Sequence, residues 1–403
     1  DRFAGWFVPG VVAVALIAFA VWMMIGPEPR LAYATVALVS VLIIACPCAL
    51  GLATPMSIMV AAGRGASAGV LIKDAEALER LADANVVVVD KTGTLTQGQP
   101  RLTDIIPVQG GGLDKDELLS IAASLERGSE HPLASAIAAA ALENKTKFKQ
   151  IREFKEITGK GITAKLGRRR FAFGNASLMS AEGVVLGEAL SIADGLKNAG
   201  KTVMYLAASG KLVGMIAVAD PIKASTRASL DALRTDGLKI VLATGDDRRT
   251  ADAVAQDLGI DEVHAGVMPL EKAALVESLK NQGATVAMAG DGVNDAPALA
   301  AADVGIAMAT GSQVAIQSAG MTLLKGDLAA LVRARHLSRA TMRNIRQNLF
   351  FAFIYNGIGV PIAAGVLYPS LGLLLSPIFA SAAMSLSSVS VIANALRLRH
   401  LNL

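Results

Sequence analysis

Apolar residues are segregated along this chain. Residues 1–63 carry four charged side chains, Asp1, Arg2, Glu28 and Arg30, and residues 347–396 carry none. A helix that crosses a bilayer needs about 20 apolar residues. Phe7–Ile25 fits one span, and Gly26-Pro27-Glu28-Pro29-Arg30 reads as a turn. Leu31–Gly63 is an uncharged run in which Pro47 and Pro55 are each expected to break the hydrogen-bond ladder. Gln347–Leu367 and Leu371–Leu396, around Tyr368-Pro369, give two more. The pattern predicts about four spans in two hairpins. Buried core helices of a soluble protein are the bland alternative, and fifty residues without a charge argue against it.

The middle of the chain is different. Of the 283 residues 64–346, 66 are charged, close to the quarter that is usual for soluble domains. Its pattern is α/β. Val86–Val89, Lys239–Leu242, Thr285–Ala289 and Val304–Met308 read as strands, with helical patterns around 247–258, 271–282 and 312–319. Alternation of this kind implies a parallel sheet covered by helices on both faces. Residues 101–219 interrupt the series with a helical stretch near 116–142 and strand-like pieces near 151–173 and 203–218. An interruption of that size is read as a second domain. The expected division is 1–70 for two membrane helices, 71–100 and 220–335 for the two parts of the parallel-sheet domain, 101–219 for the inserted domain, and 336–403 for two further membrane helices.

Composition narrows the classes. With 53% hydrophobic and 18% charged residues, the chain is not a disordered one. Its two cysteines, two positions apart, exclude a disulfide scaffold. The net charge of +4 comes with no basic stripe interleaved with aromatics, so nucleic acid is not an expected partner. Arg64, Arg343, Arg346, Arg397 and Arg399 flank the apolar runs on one side against Arg30 on the other, which places the middle and the C-terminus in the cytoplasm. The first residues lead straight into an apolar run, with no initiator Met and no cleavable signal. The sequence therefore reads as the later part of a longer polypeptide.

In open parallel sheets, ligands bind beyond the carboxyl ends of the strands. Three strand ends carry a carboxylate, Asp90, Asp246 and Asp291, each in a short loop with glycine. Such loops let backbone N–H groups approach a phosphate. Thr92 and Thr244 add hydroxyls, and Lys272, just after Pro269, can neutralise phosphate charge. Asp291 and Asp295 suit Mg²⁺, which prefers carboxylates and phosphate oxygens. A carboxylate nucleophile gives an aspartyl-phosphate. Each piece alone has a bland reading as a cap or a turn; three of them in this order do not.

In the apolar half, Cys46-Pro47-Cys48 lies inside a run. In a regular helix, positions i and i+2 point about 200° apart. Pro47 unwinds the helix locally, which is tolerated at membrane depth where the backbone lines a site. Both sulfurs can then meet on one soft ion, Cu(I), Zn²⁺ or Cd²⁺. Taken singly, membrane cysteines are small hydrophobes.

These residues carry a family resemblance. Asp90-Lys91-Thr92-Gly93-Thr94-Leu95-Thr96 resembles the phosphorylation motif of P-type ATPases. Thr244-Gly245-Asp246 and Gly290-Asp291-Gly292-Val293-Asn294-Asp295 resemble the other motifs of their phosphorylation domain. The fold implied is an α/β haloacid-dehalogenase-like (Rossmannoid) phosphorylation domain with an inserted α+β nucleotide-binding domain, plus α-helical transmembrane hairpins. The resemblance implies that Asp90 accepts the γ-phosphoryl group of ATP, and that Asp291, Asp90 and the Thr92 carbonyl bind Mg²⁺.

In the inserted domain, Ser129-Glu130-His131-Pro132 resembles the nucleotide motif of heavy-metal pumps. Glu126, Gly159-Lys160-Gly161 and Gly174-Asn175 match that family's acidic, glycine and asparagine positions, so Glu126, His131, Gly159, Gly161, Gly174 and Asn175 are implied to hold the nucleotide. Judged singly, His131 is a surface histidine and Gly-Lys-Gly a plain turn. Cys46-Pro47-Cys48 resembles the metal motif of the same pumps. Tyr355-Asn356 and Met384-Ser385-Leu386-Ser387-Ser388 resemble signatures of the copper(I) subgroup. That resemblance implies a Cu(I) site of Cys46, Cys48 and Met384 with Tyr355, Asn356 and Ser388, and Asp1 as a residue of metal uptake.

The resemblance further implies a multi-pass protein of the bacterial inner membrane, in contact with lipid and loaded by a copper chaperone. The family's actuator domain with its Thr-Gly-Glu loop has no counterpart here, nor do its four earlier spans, so an N-terminal remainder of the same polypeptide is expected to supply them. Copper export driven by ATP is the first reading. A zinc, cadmium or silver pump is the alternative within the family. A membrane-tethered phosphatase and a non-catalytic metal-binding module are the alternatives outside it.

Overall fold

The computed structural model describes residues 2–46, 48–129 and 132–403. The chain divides into two units, Asp1–Ala82 with Arg333–Leu403, and Asp83–Val332.

The first unit is helical. Its main helices are Arg2–Ile25, Arg30–Ile44, Cys48–Ser67, the later part of Leu328–Ala364, and Pro377–Leu396. The run read as Leu31–Gly63 is two helices. Ala45 caps the first, Cys46 lies outside both, and the second begins at Cys48. Pro55 does not end the second helix, contrary to expectation. A proline loses one N–H bond, and a helix packed on its neighbours can absorb that loss. The run expected as Gln347–Leu367 is the end of one 37-residue helix that starts at Leu328. Among the described residues, two helical stretches, Arg30–Ser67 and Pro377–His400, meet the length and apolarity of a membrane span, and Pro9–Ile25 is a shorter apolar helix.

Small residues set the packing of this unit. Ala49, Ala53, Ser57, Ala61 and Gly65 are the buried residues of Cys48–Ser67, spaced by four, so they form one stripe that lets neighbouring helices approach closely. Large apolar side chains such as Leu16, Met24, Met59, Phe350 and Leu386 point outward. That is the reverse of a bundle built for water. A buried amide cluster ties three helices. The Ser57 hydroxyl lies 2.9 Å from Asn344 Oδ1, and Asn344 Nδ2 donates to the Asn394 carbonyl at 2.8 Å. Asn394 Nδ2 donates to Asn348 Oδ1 at 2.9 Å, and Asn348 Nδ2 donates to Ser57 Oγ at 3.2 Å.

In the second unit, parallel strands run in the order Met321–Leu323, Val304–Met308, Val286–Gly290, Val86–Val89, Lys239–Thr244, Glu262–Ala265. Val86–Val89 is a central strand and all four valines are buried, as expected for a strand covered on both faces. The chain leaves this sheet after Thr96 and returns at Ile222, where the two segments form a bridge. Between them lies an antiparallel sheet in the order Arg101–Pro107, Lys211–Ala219, Thr202–Ala208, Arg169–Gly174, Gly161–Leu166, Arg152–Ile157. Lys115–Glu126 and Pro132–Glu143 cover one face through Leu118, Ile121, Leu125 and Ile137. Ala176–Ala181 and Ala189–Asn198 cover the other through Leu178, Met179 and Ala193. The stretch expected as one helical region near 116–142 is therefore two helices. The strand Arg101–Pro107 escaped the sequence reading because its residues do not alternate cleanly; only its first and third are fully exposed.

Asn348→Ala removes the bonds to Ser57 and Asn394 and a third, from Asn348 Nδ2 to Asn344 Oδ1 at 3.2 Å, and is expected to lower stability by about 1–3 kcal/mol, the range for buried polar groups left unpaired. Reversible unfolding of the intact protein in detergent measures it. A loss below ~0.5 kcal/mol would mean that the cluster does not hold the helices together.

Candidate active site and metal site

Asp90 follows the central strand, and its N–H donates to the Ala289 carbonyl at 2.9 Å, which aligns the ends of the two strands. Lys272 reaches the same point from the first turn of helix Pro269–Asn281. That helix starts with a proline at its first position, where a missing N–H is harmless. Lys272 Nζ donates to Asp90 Oδ1 at 2.5 Å and to Asp295 Oδ1 at 2.8 Å. Asp295 Oδ2 accepts from the Gly292 N–H at 3.2 Å, so both of its oxygens are engaged. Asp291 lies against Gly93, where φ is +70° and a Cβ would overlap the carboxylate. One oxygen from each of Asp90, Asp291 and Asp295 lies within 4.8 Å of the others.

This cluster holds more negative charge than its lysines cancel. Burial and then Asp295 raise the pKa of Asp90 to about 7 against the pull of Lys272. Burial and then Asp295 raise Asp291 to about 6. Burial alone would lower Lys272, but Asp90 and Asp295 outweigh it and its pKa is raised. Three close carboxylates around one buried ammonium fit a divalent cation bound by oxygen. Asp90 and Asp291 have the freer oxygens. Asp295, expected among the metal ligands, spends both of its oxygens on Lys272 and Gly292.

The other expected residues surround this centre. Lys91 is buried and pairs with Asp246, so Asp246 balances a lysine and stands outside the carboxylate group. The Asp246 N–H donates to Thr244 Oγ1 at 3.2 Å. Thr92 and Gly245 are exposed at the rim. The sequence reading missed Lys223, whose ammonium donates to the carbonyls of Gly93, Thr94 at 3.2 Å and Gly326 at 2.7 Å. Its pKa is lowered, first by burial. The signal available was its place just after Asp220-Pro221, where the chain returns from the insertion.

In the inserted domain, Glu130 and His131 lie outside the described residues, as does Asp1 in the first unit. Glu126 ends helix Lys115–Glu126. It is buried, and its Oε2 has no hydrogen-bond partner. Burial raises its pKa to about 7, opposed by a hydrogen bond from Ser129 and reinforced by Glu156. Gly161 and Gly174 face each other across neighbouring strands. Gly161 has φ +137°, and a Cβ there would strike the Phe173 carbonyl. Asn175 accepts from the Leu178 N–H at 3.1 Å and donates to the Gly159 carbonyl at 2.9 Å. These four residues are thus gathered in one corner, and backbone packing already requires the glycine pair.

Cys46 and Cys48 have Cα atoms 5.4 Å apart, and their sulfurs are joined as a disulfide. The expected pair of free thiolates is therefore present here in oxidised form, with the sulfurs converging. Two apolar clusters bracket this point. Val41 and Ile44 pack with Ala363 and Ala380, and Ala49 and Ala53 pack with Ala352 and Val391. Asn356 and Met384 lie on the stretches between those contacts, and both are buried. Gly359 faces Ile44, where a Cβ would come within 2.6 Å. Ser387 shares the buried face of Met384, whereas the expected Ser388 is only half-buried and Tyr355 is exposed. Asn356 Oδ1 and Ser387 Oγ have no hydrogen-bond partner.

A carboxylate after the central strand of a parallel sheet and a lysine-bridged acidic cluster beside it are the features with which the comparisons agree. Residues 84–303 match the haloacid dehalogenase-like hydrolase family. The chain is 61% identical over 399 residues, 99% of its length, to a copper-transporting P-type ATPase of Rhizobium leguminosarum bv. viciae, and covers 47% of that protein. It is 57% identical over 403 residues to a silver exporting P-type ATPase of Salmonella typhimurium, covering 100% of the chain and 49% of that protein. A solved zinc-transporting PIB-type ATPase in its E2.Pi state superposes with a TM-score of 0.80 at 36% identity, over 99% of this chain and 63% of that one. The chain thus spans about half the length of the curated relatives it matches. It belongs to the haloacid dehalogenase-like hydrolases, and over its whole length it is similar to heavy-metal P-type ATPases.

Lys272→Met leaves buried carboxylates uncompensated and is expected to lower stability by about 3–5 kcal/mol in EDTA. Adding Asp295→Asn should recover part of that loss, and a double variant no more stable than the single would sink the charge argument. Glu126→Gln tests the inserted domain through pH. A carboxyl whose folded pKa is near 7 against an ordinary 4.5 penalises the folded state progressively as pH rises between those values. The substitution should therefore gain up to about 3 kcal/mol above pH 7 and nothing below pH 4.5. Chemical denaturation at pH 4.5 and pH 8 measures the difference; an equal effect at both would overturn the assignment.

Proposed function

We propose that the chain is the catalytic and ion-binding part of an ATP-driven copper(I) exporter that works through an aspartyl-phosphate. The observation that carries this reading is the Asp90–Lys272–Asp295 bridge at the end of the central strand. Asp90 is the nucleophile. A carboxylate oxygen forms a bond to the γ-phosphorus of ATP as the bond to the β–γ bridging oxygen breaks, and ADP leaves. Lys272 neutralises charge on the transferred group and holds the ionised Asp90 in place. Asp295 orients Lys272. Lys91 and Asp246 fix the loop beside the reacting carboxylate, the buried Thr244 holds the Asp246 backbone, and Thr92 and Gly245 line its rim. Mg²⁺, held by Asp90, Asp291 and the Thr92 carbonyl, would spread the phosphate charge further. The inserted domain takes the nucleotide with Glu126, His131, Gly159, Gly161, Gly174 and Asn175.

The cargo is Cu⁺, bound by Cys46 and Cys48 in their reduced form and by Met384, with Asn356, Tyr355 and Ser388 around them. Two thiolates and a thioether favour a soft ion of low charge. Residues 347–396 hold no carboxylate to balance a divalent cation, which disfavours zinc and cadmium. The same donors suit Ag⁺, and the similarity to a silver exporter keeps that second reading open. The apolar helices and the arginines that flank them support a location in the cytoplasmic membrane, with the second unit in the cytoplasm. Asp1 assists uptake from a copper chaperone.

Incubation of the intact protein with γ-labelled ATP and Cu⁺ should give an acid-stable, hydroxylamine-labile label. Asp90→Asn should reduce that label at least ~100-fold. Stimulation by Zn²⁺ but not Cu⁺ would overturn the copper reading. Metal-independent turnover that survives Cys46→Ser would favour a tethered phosphatase, and transport retained in Asp90→Asn would favour a passive binding module.

A further inference from the structure

A cavity of about 520 Å³ lies within the first unit and is unconnected to the chemistry above. Arg343, Gln347, Asn394, Arg397, His400 and Leu401 are among its lining residues, which include no Asp or Glu. Neither Arg343 nor Arg397 forms an ion pair among the described residues. The wall is built. Arg397 donates to Asn394 Oδ1 at 3.2 Å, and Arg64 clamps the Leu401 carbonyl through Nε at 3.1 Å and a guanidinium nitrogen at 2.8 Å. Its floor is Asn344 and Asn394, both buried and held in the amide cluster. The two helices that form it continue away from the arginines as apolar surface: Phe350 and Ile354 on one, Leu396 and Val389 on the other are all exposed.

We propose that this cavity binds the phosphate headgroup of an anionic phospholipid, whose acyl chains run along the exposed apolar faces below it. The inference rests on the membrane placement proposed above. Three observations select this occupant. The cavity has the size of a small-ligand site, its two arginines offer planar donors matched to phosphate, and it sits where apolar helix meets the basic flank, the pattern that suits an anionic headgroup. A soluble anion would have no use for the apolar continuation.

The test places the intact protein in phosphatidylcholine nanodiscs containing a minority of spin-labelled phosphatidylglycerol. The association constant relative to labelled phosphatidylcholine should favour phosphatidylglycerol in the wild type. Arg343→Gln with Arg397→Gln should reduce that preference by ~5-fold per arginine, while Arg343→Lys with Arg397→Lys keeps most of it. An unchanged preference in the Gln pair, or equal loss in the Lys pair, overturns the proposal. So does displacement of the labelled lipid by millimolar inorganic phosphate, which would identify a soluble-anion site. Flotation of the wild type with neutral vesicles separates the two readings: failure to float overturns the membrane placement and this proposal with it, whereas flotation without lipid preference overturns this proposal alone.

Discussion

One buried ammonium shared between two carboxylates governs the second unit. Lys272 lies 2.5 Å from Asp90 and 2.8 Å from Asp295, and all three are almost fully buried. Removing such charges from water costs several kcal/mol per ion, and the mutual attraction offsets this only in good geometry. With Asp291 beside them, the carboxylates outnumber the bridging lysine. Burial first, and then the repulsion from Asp295, makes Asp90 and Asp291 hold protons more tightly than free carboxyls. A bound cation would complete the set. The parallel sheet contributes the rigidity that this needs, since four buried valines fix where Asp90 emerges and a proline-started helix fixes where Lys272 begins.

The same loop is also where the inserted domain is attached. Asp220 accepts from the Thr96 hydroxyl at 2.5 Å and from the N–H groups of Gly98 and Gln99 at 3.2 and 3.1 Å. Thr96 in turn accepts from the Gly93 N–H at 3.2 Å, and the Lys223 ammonium gathers the carbonyls of Gly93 and Thr94. The two crossings between the sheets thus grip the loop that follows Asp90. A swing of the insertion would be felt first at Gly93, the residue on which the Asp291 carboxylate rests. The positive φ of Gly93 makes this the point where only a glycine tolerates that contact.

Much of this was legible in the chain. Strands followed by Asp-containing turns locate the reactive edge, because only a continuous apolar run ending in a polar loop gives a buried parallel strand with its ligand groups outside. What escaped depends on distance in sequence. Nothing local marks Lys223 as the collector of three carbonyls. Nothing local shows that Asp295 turns both oxygens to Lys272 and Gly292 rather than leaving them open. The period of a helix separates Ser387 from Ser388, yet the sequence does not say which face is inward until Ala380, Met384 and Val391 are seen buried together. Pro55 was overestimated because helix propensity describes an isolated segment, while the alanine stripe of Cys48–Ser67 anchors this one on its neighbours.

The break between helices Arg30–Ile44 and Cys48–Ser67 can be understood from the same packing. On one side Ile44 is locked against Ala363, Ala380 and the face of Gly359; on the other Ala49 and Ala53 are locked against Ala352 and Val391. On the partner helices, between those contacts, Asn356 Oδ1 and Ser387 Oγ are buried and without partners. A polar atom left this way costs about 1–3 kcal/mol, and a structure built only for packing would place alanine there. The two unsatisfied oxygens, on the same buried stretches as Met384, are therefore features that packing alone does not call for.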